Sequence, residues 1–187
     1  MRTPYLEPPG PRVALRPLGW ADEAEFIAVV RASAGLLHPW MSLPGTPEEF
    51  AEFMARFDQP VRNIGLLACD RADDAIVGGI NINNIVGGRF QSAALGYWAA
   101  ASAAGRGYLS EAIKLVIAYA FGPLGLHRLE ANIQPGNHAS IRLVKRNGFR
   151  YEGYSSDYLF IDGAWRGHER WAITREMVEP PGSPCSD

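Results

Sequence analysis

Ala103 to Phe121 reads AAGRGYLSEAIKLVIAYAF, and the fold turns on how this stretch is parsed. Ala104-Gly105-Arg106-Gly107-Tyr108 is a glycine-punctuated turn. Behind it apolar residues recur at helical spacing: Leu109, Ala112, Ile113, Val116, Ile117, Ala120 and Phe121. Glycine permits positive φ and lets a ligand come close to the main chain. Such a turn opening onto a helix gathers unpaired N–H groups and the positive end of the helix dipole at one point, which suits a phosphate or pyrophosphate. Arg106 adds a mobile positive charge. No Gly-Lys-Ser/Thr closes the turn and the third glycine of G-x-G-x-x-G is missing, so it is neither Walker A nor the dinucleotide fingerprint. Many Gly-X-Gly turns are plain connections, so the flanking sequence has to decide.

Upstream, Val13 to Leu18 reads as a first strand, and Asp22 offers an N-cap to a helix with Phe26, Val29, Val30 and Ser33 on one face. Thr46-Pro47-Glu48-Glu49 is a capping box with proline at the first helical position, ahead of Phe50, Phe53, Met54 and Phe57. Asn63–Cys69, Ala75–Ile85 and Ser92–Trp98 read as strands. Downstream, Leu129, Ala131 and Ile133 alternate with Arg128, Glu130 and Asn132. Asn137 to Asn147 is a short helix closed by Gly148, and Phe149–Phe160 and Trp165–Ile173 form a hairpin around Asp162-Gly163. The expected fold class is α+β: one mixed, mostly antiparallel central sheet with helices on both faces.

The 187 residues suit a single domain over residues 12–175, between flexible tails at 1–11 and 176–187 that are rich in proline. A net charge of −2 gives no general pull toward nucleic acid or a membrane surface, and no direct nucleic-acid or membrane partner is expected. Two cysteines, Cys69 and Cys185, make no disulfide framework, and the four histidines lack metal-ligand spacing, so no metal is expected. With no signal core and no span-length apolar run, a cytoplasmic location is expected. No Gly-x-Ser-x-Gly elbow supports a hydrolase.

Leu95-Gly96-Tyr97-Trp98, Gly105-Arg106-Gly107-Tyr108, Ser110-Glu111-Ala112, Tyr119-Ala120-Phe121, Leu126 to Ala131, Asn137-His138-Ala139-Ser140, Asn147-Gly148-Phe149 and Glu152-Gly153 come in a telling order and spacing. From residue 12 to 175 the chain resembles the GNAT N-acetyltransferases, and among them the RimJ/RimL branch, which acetylates N-terminal amines of ribosomal proteins. The resemblance implies a splayed strand pair and acetyl-coenzyme A as donor. It implies a diphosphate on the amides of Ala104, Gly105, Arg106, Gly107, Tyr108 and Leu109, with Ser110, Tyr97, Trp98, Asn137, Ser140 and Lys145 completing the donor site. The family pattern Gln/Arg-x-x-Gly-x-Gly/Ala is broken at its first place by Ala104, which shifts phosphate charge onto Arg106. Trp98 reads equally as wall of the acyl slot or as core.

Transfer from thioester to amine requires a neutral amine, an oxyanion partner and a proton for the departing thiolate. The resemblance points to Ser140 near the sulfur, while Val144 stands where many members carry a tyrosine. Asn137 is a natural N-cap and also the family's pantetheine ligand. Glu130 and Asp157 are the candidate bases, Glu130 being as readily an ion pair with Arg128 or His127. The acceptor cleft is expected from His38, Trp40, Phe53 and Tyr158. At pH 7 roughly one in seven α-amines of pKa ~7.8 is neutral, against fewer than one in a thousand lysines at ~10.4. A site without an evident carboxylate base therefore matches a protein N-terminus. The alternatives are a small-amine enzyme acting on an antibiotic or polyamine, and a non-catalytic acyl-coenzyme A-binding module. A monomer or homodimer is expected.

Overall fold

One-sided alternation in the strands and one-sided stripes on the helices leave this chain a sheet with helices laid against it. The computed structural model describes residues 5–58 and 62–178. Its strands are β1 (Val13–Pro17), β2 (Ile64–Asp70), β3 (Ile76–Val86), β4 (Ser92–Ala99), β5 (Arg128–Ile133), β6 (Arg150–Ile161) and β7 (Ala164–Thr174). Its helices are α1 (Glu23–Ala32), the single turn α2 (Ala34–Leu37), α3 (Pro47–Ala55), α4 (Tyr108–Phe121) and α5 (His138–Arg146). Residues 1–4 and 179–187 of the two expected tails, Cys185 among them, lie outside the described residues.

The strands form one sheet in the order β1-β2-β3-β4-β5-β7-β6. Every neighbouring pair is antiparallel except β4 and β5, which run parallel. A parallel pair needs a crossover, and α4 supplies it. Pairing runs from Ser92–Arg128 to Leu95–Ala131 and stops there, although β4 continues to Ala99 and β5 to Ile133. This is the expected splayed pair.

On one sheet face α4 buries Ala112, Ile113, Val116, Ile117, Ala120 and Phe121 against Leu15, Leu66, Ile80, Ile82, Leu129 and Ala131, and Ile141, Leu143 and Val144 of α5 join them. On the other face Phe26, Val30, Phe50, Phe53 and Met54 of α1 and α3 pack on Leu67, Cys69, Ile76 and Trp98. The helices of this second layer leave the β5 side open, so Glu130 and Asn132 face a cavity there. Among the described residues no helix is long and apolar enough to cross a membrane.

Three local expectations need correction. Asp22 stands at the N-cap of α1, but its side chain makes no cap bond. It is buried, accepts from the Gly19 N–H at 2.9 Å and pairs with Arg16 at 2.8 Å, because β1 turns Arg16 into the same interior. Thr46 does accept from the Glu49 N–H, yet Glu49 Oε2 accepts from Gly45 rather than closing the box on Thr46. Phe57 lies beyond the end of α3, with its ring edge-to-face on Phe53 at 5.2 Å and against Gly65. At the hairpin tip Asp162 and Gly163 both take positive φ, 47° and 75°, as a two-residue turn matched to strand twist requires.

Candidate functional site

The parting of β4 and β5 opens the sheet, and two cavities meet in the gap. One of about 710 Å³ lies over the β3–β4–β5 face and the β6–β7 hairpin. The other, about 450 Å³, runs between the free part of β4, the turn before α4 and α5. Trp40, Met41, Tyr97, Asn137 and Ser140 line both. At this junction the hydroxyls of Tyr97 and Ser140 stand 2.5 Å apart. Burial pushes the Tyr97 phenol up to about 12, outweighing the Ser140 hydrogen bond that favours its ionisation. Asn137 Oδ1 caps α5 by accepting from the Ser140 N–H at 3.1 Å, so the cap also sets the serine's position.

The smaller cavity ends at the glycine turn. Gly105 and Gly107 take φ of 73° and 85°, and Gly107 is the left-handed N-cap of α4. No carbonyl among the described residues accepts from the N–H groups of Gly105, Gly107, Tyr108, Leu109 or Ser110, while Ala104 and Arg106 make only long bonds of 3.4 and 3.3 Å. An anion is the missing partner such a cluster of donors calls for. Ala104, Gly105, Gly107, Leu109, Ser110 and Trp98 all line this cavity. Trp98 is also packed edge-to-face on Phe26 at 5.4 Å, so it is both wall and core.

The side-chain charge at this end differs from the sequence-based expectation. Arg106 lies 5.2 Å over the Tyr108 ring and donates to the Ser102 carbonyl, and Lys145 sits 5.3 Å over Trp171. Tyr108 is buried and donates its hydroxyl to Asp70 at 2.6 Å. The cations lining the cavity are Arg142 and Arg146, one turn apart on α5. Their i, i+4 spacing was the signal that would have found them.

In the larger cavity Trp40 and Tyr158 are lining residues, but His38 is exposed at the end of α2 and Phe53 is buried in the second core. Asp157 is exposed, with φ 46°, where the β6–β7 register shifts, and it lines neither cavity. Glu130 does line the cavity, with one carboxylate oxygen held by Arg128 Nε at 3.0 Å and the other by Arg170 Nη2 at 2.7 Å. Arg128 also pairs with Glu152. With both oxygens engaged by guanidinium donors, Glu130 is occupied as an ion-pair partner.

The titratable group missed in the sequence is His168. It is buried, lines the larger cavity, and its Nδ1 stands 2.9 Å from the Arg166 carbonyl. A carbonyl only accepts, so Nδ1 carries the proton and Nε2 is left as an acceptor. Burial pushes this imidazole below its ordinary value, against the opposing pull of the Arg166 bond. Nothing in the local sequence marks it; the register of β7 brings it there.

A family model described as acetyltransferase (GNAT) domain matches residues 12–150. The chain is 30% identical over 153 residues to the probable N-acetyltransferase YjcK of Bacillus subtilis, spanning 81% of each protein. It is 40% identical over 105 residues to the [ribosomal protein uS5]-alanine N-acetyltransferase of Escherichia coli, spanning 56% of this chain and about half, 54%, of that enzyme. The solved structure of Mycobacterium smegmatis RimJ in complex with CoA-disulfide superposes with a TM-score of 0.81 at 29% identity, covering 96% of this chain and 90% of that one.

Proposed function

The chain belongs to the GNAT acetyltransferase family, and from that premise we propose that this N-acetyltransferase moves acetyl from acetyl-coenzyme A to the α-amine of a protein N-terminus. The observation that carries the reading is the meeting of two cavities at Tyr97 and Ser140, where β4 and β5 part. Relatives named for alanine acetylation of a ribosomal protein support the choice of acceptor.

Acetyl-coenzyme A supplies an activated acyl carbon and a thiol of cysteine-like acidity, ~8.5, which leaves readily. The free N–H groups of the glycine turn and the guanidiniums of Arg142 and Arg146 hold diphosphate charge. The unpaired edge of β4 from Gly96 onward offers main-chain partners to an extended amide chain, as an added strand would find. An N–H near Trp98 stabilises the oxyanion. Ser140, fixed by Tyr97 and the Asn137 cap, directs its hydroxyl to the departing sulfur. His168, neutral with Nε2 free to accept, takes the amine's proton directly or through water. The amine attacks the thioester carbon directly.

The polyamine alternative would want spare carboxylates at the cleft, and Glu130, the one carboxylate lining it among the described residues, is already paired twice. Thiol release from acetyl-coenzyme A with alanine- and serine-starting peptides, Nα-blocked lysine peptides and spermidine tests the reading. Turnover confined to free α-amines is expected. Preference for spermidine or blocked lysine overturns it, and donor binding without turnover on any of them points to a binding module.

A further inference from the structure

We propose that Asn83 and Asn132 form a receptor for the peptide N–H groups of the acceptor, so that the cleft recognises the backbone behind the reacting amine. The inference rests on the larger cavity being the acceptor side of the transferase site.

Both residues line that cavity, on either side of β4. Asn83 on β3 is in register with Ala94, which in turn pairs with Glu130 on β5. Asn132 stands two residues beyond Glu130, one past the last β4–β5 pair. Between them Gly96 leaves the strand bare, and a side chain there would meet the Asn83 amide nitrogen at 3.3 Å. That contact settles Asn83 across β4 toward the cleft.

The side chains of Asn83 and Asn132 are half-buried along the cavity, and their carboxamide oxygens, closed to solvent as they lie, have no hydrogen-bond partner among the described residues, so a turn of each carboxamide presents its oxygen to a donor in the cleft. A buried acceptor left unmet costs on the order of 1–3 kcal/mol, so two of them beside one cavity are a strong demand for donors. Being neutral, they suit N–H groups of an uncharged backbone rather than a second ammonium. The charges around them agree. Glu130 is spent on Arg128 and Arg170, and Arg56 adds a positive charge to the rim, which disfavours a polycation. An acceptor whose reacting amine is followed at once by peptide N–H donors meets both oxygens; spermidine meets neither without bringing an unpaired charge.

The test compares an alanine-starting hexapeptide with two depsipeptides in which the first or the second peptide bond is an ester, deleting one N–H each. Wild-type, Asn83→Ala and Asn132→Ala enzymes are assayed by thiol release. Comparing amide-to-ester ratios between enzymes cancels the ester's own effect on the amine. We expect wild type to lose about tenfold in kcat/KM with at least one ester, and one or both alanine variants to lose as much on the all-amide peptide while no longer distinguishing it from that ester. Coenzyme A affinity, unchanged, reports an intact fold. Where an alanine variant loses it, Asn→Asp at the same position keeps an oxygen acceptor and should retain the preference. An amide-to-ester ratio that is the same in wild type and both variants overturns the proposal while leaving peptide acetylation standing. Turnover of spermidine but of no peptide removes the functional reading and the proposal together.

Discussion

The hydroxyls of Tyr97 and Ser140 stand 2.5 Å apart, one on the free stretch of β4 and the other on the first turn of α5. With its phenol pushed up to about 12, Tyr97 is a poor proton source for a thiolate of ~8.5. That transfer would run uphill by about 5 kcal/mol. Tyr97 instead shares a hydroxyl–hydroxyl hydrogen bond with Ser140, which fixes where the serine sits at the junction of the cavities. In the proposed transfer it positions Ser140 rather than giving up a proton.

Ser140→Ala should lower kcat on the order of a hundredfold, and Tyr97→Phe about tenfold, with coenzyme A affinity retained in both. The loss in Tyr97→Phe should shrink when a thioester with a more acidic thiol replaces acetyl-coenzyme A, because such a leaving group needs less help. Equal rates for Ser140→Ala and wild type would remove the serine from the mechanism.

Donor affinity should follow α5 rather than the glycine turn's own arginine. Arg142→Ala and Arg146→Ala are each expected to weaken coenzyme A binding about tenfold, about 1.4 kcal/mol, by calorimetry. Arg106→Ala, whose guanidinium rests on Tyr108, should change it less than about threefold. The reverse ranking would return the phosphate charge to Arg106.

His168→Gln should lower kcat by about a hundredfold with the donor still bound. The same substitution carries a stability signature. The folded state holds this imidazole below its unfolded value of ~6.5 because it is buried. Its contribution is therefore complete above pH ~6.5 and fades as pH falls, when the unfolded chain gains a proton that the folded chain refuses. Thermal denaturation of wild type should show that decline, and His168→Gln should lack it.

Glu111 ties the start of β1 to the first turn of α4, accepting from the main-chain N–H groups of Arg12 at 2.7 Å and Val13 at 2.9 Å. Burial alone would raise this carboxyl, but those bonds and the Arg12 guanidinium hold it below the usual range. Its contribution is thus present above the unfolded value and lost as pH falls through the folded one. Glu111→Ala should cost about 2 kcal/mol in urea denaturation near pH 7, and the penalty should shrink in acid.

What could be read in the sequence was whatever is written locally. The turn at Gly105 and Gly107, the stripe on α4 and the alternation of β5 each sit within one window of periodicity. The partners set by register were not so written. Arg128 lies on Glu130's own strand face, two residues away, so that ion pair was foreseeable; Arg170 reaches Glu130 only through the pairing of β5 with β7. Tyr97 and Ser140 are 43 residues apart and meet because β4 and β5 stop pairing. Asp157 was a candidate base by its place on the strand expected to cross the acceptor mouth, and the shifted register at that point turns it out to solvent.

Beyond Leu95 and Ala131 the two strands run on unpaired with each other, β4 to Ala99 and β5 to Ile133. If, as proposed, the acetyl donor fills that wedge, it completes a ladder that only the native chain possesses and acts as a folding ligand too. At a hundred times its dissociation constant it would add about 2.7 kcal/mol to the stability of the whole domain. A cell starved of that donor would hold a less durable enzyme as well as an idle one.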